Sequence, residues 1–492
     1  MSPLSPTLLV TGFVLTVPFS AWGNAVSSSE EDSAAKIQQL NQELLEQRQR
    51  LDQLQQQLAS LAKPPHSGES APSAIETSSM GKTTPWSPAS PITIARSGGT
   101  YLNISLVGDI AVGASTKDNV GTVQMGGHDP SQRGFTIQGI EATFEGAVDN
   151  YFRALANVVY GLNTEGDSYF ELEEAYAETL CLPYGLQLRA GQYFTEFGRI
   201  NVQHPHSWDF IDAPIVTARF LGPDGLRNPG ARLSWLMPTP FYSEAFFGVQ
   251  NSQGETAYSF RNDYDDDSSH GHAHAEDFPF GRPSVETSVH GLKDMLYTGR
   301  YAASFDLSDS QTILGGISGA WGPNSTGDGA RTQIYGADIF WKWKPVNHHK
   351  GFPFVTLQSE FLFRGYEAAA ATVEVEDPSS GGHMDVNLPG ETLWDWGAYV
   401  QVSYGFHEGW VASLRGDYSA PITNGKYESM LGEDDASRSE RFRVSPALTW
   451  YPSEFSRVRL QYNYDHGDSF GSAHSVWLQL EFLLGSHGDH HF

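Results

Sequence analysis

From residue 100 to near the C-terminus, apolar and polar residues alternate, and this period of two constrains the fold more than any other feature. In "RVRLQYNYDHG", Val458, Leu460, Tyr462 and Tyr464 alternate with Arg459, Gln461, Asn463 and Asp465. In "LWDWGAYVQVSY", Trp394, Trp396, Ala398, Val400, Val402 and Tyr404 fall on one face. "GIEATFEGAV" sets Ile140, Ala142, Phe144 and Val148 against Glu141, Thr143 and Glu145, and "LNISLVGDIAV" groups Leu102, Ile104, Leu106, Ile110 and Val112. Successive strand residues point to opposite faces, so each segment reads as a strand with one apolar side.

A soluble sandwich alternates too, so other features must decide. The apolar face carries aromatics near strand ends, among them Trp341, Trp343, Trp394, Trp396, Trp450, Tyr462 and Tyr464. The opposite face holds Arg153, Arg189, Arg232, Arg300, Arg364 and Arg459, together with Glu141, Glu145, Asp338, Glu360, Asp395 and Asp417. Unpaired buried charge is costly, so this face is expected to meet water. Short turns ("DN" at 149–150, "LPYG" at 182–185, "PTP" at 238–240, "YPSE" at 451–454) take turns with longer polar loops. The expected fold is all-β: a transmembrane antiparallel β-barrel of about 16 strands over residues 100–485, with both ends at the periplasmic rim of an outer membrane. A barrel this wide is expected to hold an aqueous channel.

The preceding residues read differently. Residues 1–25 hold the run "LLVTGFVLTVPFSAW", too short to span a bilayer, and read as a secretory signal peptide. Residues 34–62 carry Ile37, Leu44, Leu51 and Leu58 seven apart, interleaved with Leu40, Gln47, Leu54 and Leu61, the seam of a coiled coil. Such a stripe needs partner helices, so a homo-oligomer is expected, a trimer being common for wide barrels. Residues 63–99 are rich in Pro, Ser, Thr and Gly and read as a linker. The formal charge of -28 argues against nucleic acid and for attraction of cations. Cys181 is the single cysteine, so neither an intrachain disulfide nor a cysteine-based zinc site is available.

"GIEATFEGAVDNYFRA", "LEEAYAETLCLPYGLQLRAGQYFTEFGR" and "GLRNPGARLSWLMP" resemble porin-like outer-membrane proteins of the phosphate-selective porin O and P superfamily. The resemblance is closer to a His-rich branch described as zinc-regulated outer-membrane receptors, whose His-containing end is similar to the tail at 486–492 with His487, His490 and His491. It covers about residues 100–492, and implies a porin barrel in contact with outer-membrane lipid. The basic phosphate-binding residues of the superfamily's named members have no one-to-one match here.

Two loops carry candidate chemistry. Residues 198–225 form the third long loop, which in sixteen-stranded porins commonly folds inward; the resemblance implies the same here. Its candidate constriction residues are Arg199, His204, His206, Trp208, Asp209 and Asp212. The "HPH" pair offers two imidazoles, too few on their own for a metal site. "YDDDSSHGHAHAED" at 264–277 puts His270, His272 and His274 on one side of an extended segment, beside Asp265, Asp266, Asp267 and Glu276. That set suits weakly held zinc on the outer side, with no cofactor required for the protein as a whole. The expected function is passive diffusion of small hydrophilic solutes or ions, with a preference for divalent metal such as zinc. The alternative is a structural protein tethering the outer membrane to the cell wall through its coiled coil. An enzyme is not expected: neither Gly-x-Ser-x-Gly nor His-Glu-x-x-His occurs, and neighbouring Asp465 and His466 would diverge on a strand.

Overall fold

The computed structural model describes residues 91–485 apart from 98–99, 165, 263–278, 286–287, 377–382, 432–434 and 436. The signal peptide, the coiled coil, the outer His/Asp loop (Asp265, Asp266, Asp267, His270, His272, His274, Glu276) and the His-rich tail lie outside the described residues.

The strands in chain order are β1 (Ile92–Ser97), β2 (Thr100–Ser115), β3 (Gly134–Ala147), β4 (Phe152–Leu162), β5 (Ser168–Thr179), β6 (Leu186–Phe194), β7 (Arg227–Leu236), β8 (Tyr242–Asn251), β9 (Met295–Ser308) and β10 (Gln311–Pro323). They continue as β11 (Arg331–Trp343), β12 (Phe354–Ala368), β13 (Ala371–Glu376), β14 (His383–Leu388), β15 (Glu391–His407), β16 (Trp410–Pro421), β17 (Arg441–Ser453), β18 (Ser456–Gly467) and β19 (Gly471–Leu484). Of the 17 strands in the main sheet, β1 pairs only with the start of β2. The other sixteen form an antiparallel ring, closed where β19 meets β2 with Leu478 opposite Val112. Closure leaves no free sheet edge around the ring. β13 and β14 form a separate hairpin in the loop between β12 and β15.

Local chemistry sets the turns. In the β3–β4 turn the Asp149 carboxylate accepts from the backbone N–H groups of Tyr151 and Phe152, at 2.7 and 2.9 Å. Such an Asx turn lets two strands reverse within a few residues. Gly409, at φ 74°, supplies the left-handed position in the two-residue β15–β16 turn.

The alternation places apolar side chains outward. Phe247, Ile317, Val400, Leu414, Leu460 and Leu478 are all exposed on the outer face. A continuous apolar outer band on a closed barrel matches hydrocarbon. Inside, the expectation of a wholly water-solvated charged wall is corrected. Arg300 bonds Asp338, Arg364 bonds Asp395 and Arg189 bonds Glu178, all buried. Arg232 pairs with Glu196, and Arg153 with Glu178 and Glu145. Pairing, rather than hydration alone, offsets the desolvation of these charges. A second correction concerns the linker: its residues 92–97 form β1, where Ile92, Ile94 and the backbone continue the β2 edge beyond the point that β19 reaches.

Candidate functional site

The connection between β6 and β7 turns into the barrel and crosses it. It begins at Gly198, whose N–H donates to Ser318 Oγ on β10 at 3.0 Å, and Ile200 N–H donates to Glu360 Oε1 on β12 at 2.7 Å. Gly198 has φ 61°, the left-handed conformation that lets the chain turn inward. Further on, Asp209 accepts from Ser403 on β15 at 2.9 Å, and Arg459 on β18 donates to the Trp208 carbonyl at 2.7 Å. The helix Ile215–Leu221 then packs against β12, β15 and β16. Its N-terminal residue Ile215 donates its backbone N–H to Asp417 on β16 at 3.1 Å. Phe197, Ile200, Val216, Phe220 and Leu221 are buried together with Leu296, Ala320, Ile334 and Leu362 of the wall. Each fully buried large apolar side chain contributes about 1.5–3 kcal/mol, so the loop is a packed element of the interior.

Asp212 is the loop's main charged anchor. Its carboxylate accepts from Arg415 on β16 at 2.6 Å and Arg443 on β17 at 3.1 Å. Gln461 and Asn463 on β18 donate to it at 2.9 and 2.6 Å. Burial opposes ionisation, but Arg443 and Arg415, helped by the two amides, hold the Asp212 carboxyl below the usual carboxylate range. Arg415 also lies over the Phe210 ring, 4.7 Å from its centroid. Trp208 is half-buried and donates its indole N–H to the Gln203 carbonyl at 3.0 Å. Arg199 bonds Gln358 at 3.1 Å and stacks on Phe340 at 4.0 Å.

His204 and His206 face β3 and β5. His204 Nδ1 lies 2.9 Å from Glu173 Oε2 and 3.3 Å from Glu141 Oε2, while its Nε2 lies 3.1 Å from Glu174 Oε2. His206 Nδ1 is 3.1 Å from Glu141 Oε2, and the two imidazoles stack at 5.6 Å. Two consecutive glutamates on a strand should point to opposite faces. Here the β4–β5 register shifts between Asn157 and Val158, which oppose Glu174 and Leu172. This bulge turns both Glu173 and Glu174 inward, as both are buried. Desolvation would lower the His204 pKa, but Glu141 and the neighbouring carboxylates raise it well above its ordinary value.

The first loop, residues 116–133, also reaches inside. His128 Nε2 lies 3.1 Å from Glu173 Oε1 and 3.8 Å from Asp224. Burial opposes its protonation, yet hydrogen bonding and charge from Glu173 push its pKa up to about 9. Asp129 accepts from the Ala213 N–H at 2.8 Å, and Gln124 donates to Asp212 at 3.2 Å. Burial and the Asp212 charge raise the Asp129 pKa to about 7. The first and third loops therefore meet over the same stretch of wall.

Toward the rim of short turns a cavity of ≈ 590 Å³ opens, with both signs of charge in its lining: Glu196 and Glu244 against Arg199, Arg232, Arg300 and Lys342. Of the sequence-derived constriction residues, Arg199 lines this cavity, whereas His204, His206 and Asp212 are tied to the wall. Sequence reading missed His128, Glu173, Glu174, Asp224 and Arg227 as site residues. The double glutamate of "LEEAYAE" was the available signal, since a period-two strand has no reason to place Glu173 and Glu174 side by side. Asp465 points inward to Arg443 at 2.8 Å, while His466 points outward beside Phe442.

No protein-family model matches the chain. Among solved structures, the anion-selective porin from Comamonas acidovorans is similar at TM-score 0.48 and 10% identity, over 78% of this chain and 100% of that one. The outer-membrane channel DcaP of Acinetobacter baumannii is similar at TM-score 0.45 and 11% identity, over 78% and 98%. Pseudomonas putida OprB is similar at TM-score 0.44 and 10% identity, over 78% and 94%. At those values the likeness carries no weight for function, and the barrel stands on its own strand pairing. A protein of Aquifex aeolicus (strain VF5), described only as uncharacterized, is 30% identical over 385 residues, 75% of this chain and 73% of that protein. On that coverage and identity, the chain belongs to the same family as the Aquifex aeolicus protein.

Proposed function

We propose that the protein is a porin-like channel of the bacterial outer membrane, through which small hydrophilic solutes or ions diffuse passively. The observation that carries this reading is the sixteen-strand ring with an apolar exterior and a charged interior, into which the third loop is folded. The paired charges and the packed third loop support a narrowed bore that selects by size and charge. The cavity near the short turns carries more cationic than anionic side chains among Glu196, Glu244, Arg199, Arg232, Arg300 and Lys342. In the sequence, the acidic stretch 263–277 falls between β8 and β9, and an outer position for it is part of this proposal.

The finer parts of the proposal rest on sequence. The resemblance to the phosphate-selective porin O and P superfamily and its zinc-associated branch supports a divalent-metal preference, with His270, His272 and His274 raising the local metal concentration at the mouth. The heptads of residues 34–62 support self-association in the periplasm, a trimer being common for barrels of this width, and also favour a second reading in which that region tethers the membrane to the cell wall.

The test is conductance of the purified, refolded full chain in planar bilayers. Discrete steps are expected, with reversal potentials in asymmetric zinc chloride that shift when His270, His272 and His274 are replaced by Ala. A correctly folded barrel that gives no steps overturns the channel reading; steps whose zinc selectivity ignores that triple replacement overturn the role of the outer histidines.

A further inference from the structure

We infer that Glu141, Glu173, His204 and His206 form an interior binding site for a divalent transition-metal ion of the Zn²⁺ class, which staples the third loop to β3 and β5. The site is separate from the outer His-rich loop and does not depend on whether the barrel conducts.

The donor set is the first argument. Ligand atoms of Glu141, Glu173 and His204 all lie within 4.8 Å of one another, and all three residues are buried. His206 Nδ1 lies 3.1 Å from Glu141 Oε2, outside that mutually close trio but placed to supply a second imidazole through Glu141's side of it. Two imidazoles and two carboxylates are an ordinary set for zinc, with bonds of about 2.0–2.2 Å. Small side-chain rotations bring such atoms from ion-pair spacing to metal-ligand spacing.

Donor geometry is the second argument. An imidazole has at most two N–H donors. Three carboxylates nevertheless approach His204, and two of them, from Glu173 and Glu141, approach the same nitrogen at 2.9 and 3.3 Å. A cation with four coordination positions answers convergent oxygens better than one shared proton does. The bulge that aims Glu173 and Glu174 inward adds to the convergence, because strand alternation alone would bring only one of them.

Space is the third argument. Beside the cluster lies a cavity of ≈ 20 Å³ lined by Glu141, Glu173, His206 and His128. That is room for about one water-sized ion or molecule. The surrounding groups also fit a second shell: Glu174 Oε2 lies 3.1 Å from His204 Nε2, placed to accept its N–H, and Arg227 bonds Glu171 and reaches Glu173 at 3.6 Å. Partners of this kind orient ligands and tune their affinity.

Titration of the full chain in detergent with Co²⁺, which reports tetrahedral N/O coordination by visible absorption, tests this inference. One equivalent is expected to produce a band that Zn²⁺ displaces. The band should persist when His270, His272 and His274 become Ala. It should vanish in the His204→Ala/His206→Ala double variant, and Glu173→Gln should weaken Co²⁺ binding about tenfold or more. Heat-modifiable migration on gels shows that each variant keeps its barrel. Absence of a band in the native chain overturns the inference, and so does a band that survives loss of His204 and His206. Conductance recorded on the same sample separates the two readings: steps without a cobalt band leave the channel standing and remove the site, and the converse removes the channel alone.

Discussion

At the scale of single residues, Asp212 decides whether the third loop stays seated. It is fully buried and answers two guanidiniums, Arg415 and Arg443, as well as the Gln461 and Asn463 amides. Removing one member of a buried ion pair costs about 3–5 kcal/mol, because the charges left behind lose their counter-ion. Asp212→Asn keeps the shape and drops the charge. We expect it to lower the unfolding free energy from urea titration in detergent by an amount of that order and to enlarge the conductance steps. The pH dependence has a definite sign. The folded-state pKa lies below the ordinary value, so the contribution is complete above pH ~4 and is lost as pH falls through the folded value. The stability gap between the native chain and Asp212→Asn should therefore narrow only below pH ~4. A gap that is unchanged at pH 2, or already closed at pH 6, would contradict this assignment.

Among the elements, the third loop depends on how it enters the barrel. Gly198 adopts φ 61°, and a Cβ there would lie 2.0 Å from Glu360 Oε2. Gly198→Ala combines a left-handed backbone cost of about 1–2 kcal/mol with displacement of Glu360. Glu360 also accepts from Ile200 N–H and from the Tyr399 hydroxyl, both at 2.7 Å. The expected result is larger conductance steps with the barrel still folded; steps of native size would show that the loop enters without this contact. The strands themselves were legible in the sequence because lipid on one side and polar groups on the other impose a strict period of two. The ring has the expected sixteen strands, and the four alternating segments quoted from the sequence lie in β2, β3, β15 and β18. β1 was not legible: "ITIARS" is short and sits inside a Pro/Ser-rich tract. The short β13–β14 hairpin, within the connection between β12 and β15, was not legible either. At the site, the inward direction of Glu141 followed from alternation, but the pairing of Glu173 with Glu174 did not, because a bulge breaks the period that the reading relied on. The first loop's role was hidden for a different reason: His128 and Asp129 reach partners far away in sequence, such as Glu173 and Ala213.

Over the whole molecule, the ring closes on itself without any strand earlier than β2. The closing contact runs between β19 and β2, and among the described residues the segment before β2 meets the ring through β1 on β2. Deleting residues 26–90 should therefore leave the conductance of each barrel unchanged. If the heptads set the assembly, cross-linking should then find monomers in place of trimers, and envelope attachment should fail only under the tether reading. Trimers that persist after the deletion would place the subunit contact on the barrel wall instead. The way the third loop is stitched also dictates a timetable for biogenesis. Its partners lie on β3, β5, β10, β12, β15, β16, β17 and β18, as far as 251 positions away at Asn463. They exist in one place only after the last staves have been hooped together. The cylinder's girth is set by its staves alone, and the lumen is expected to reach its final narrowness last, once every anchor is in place.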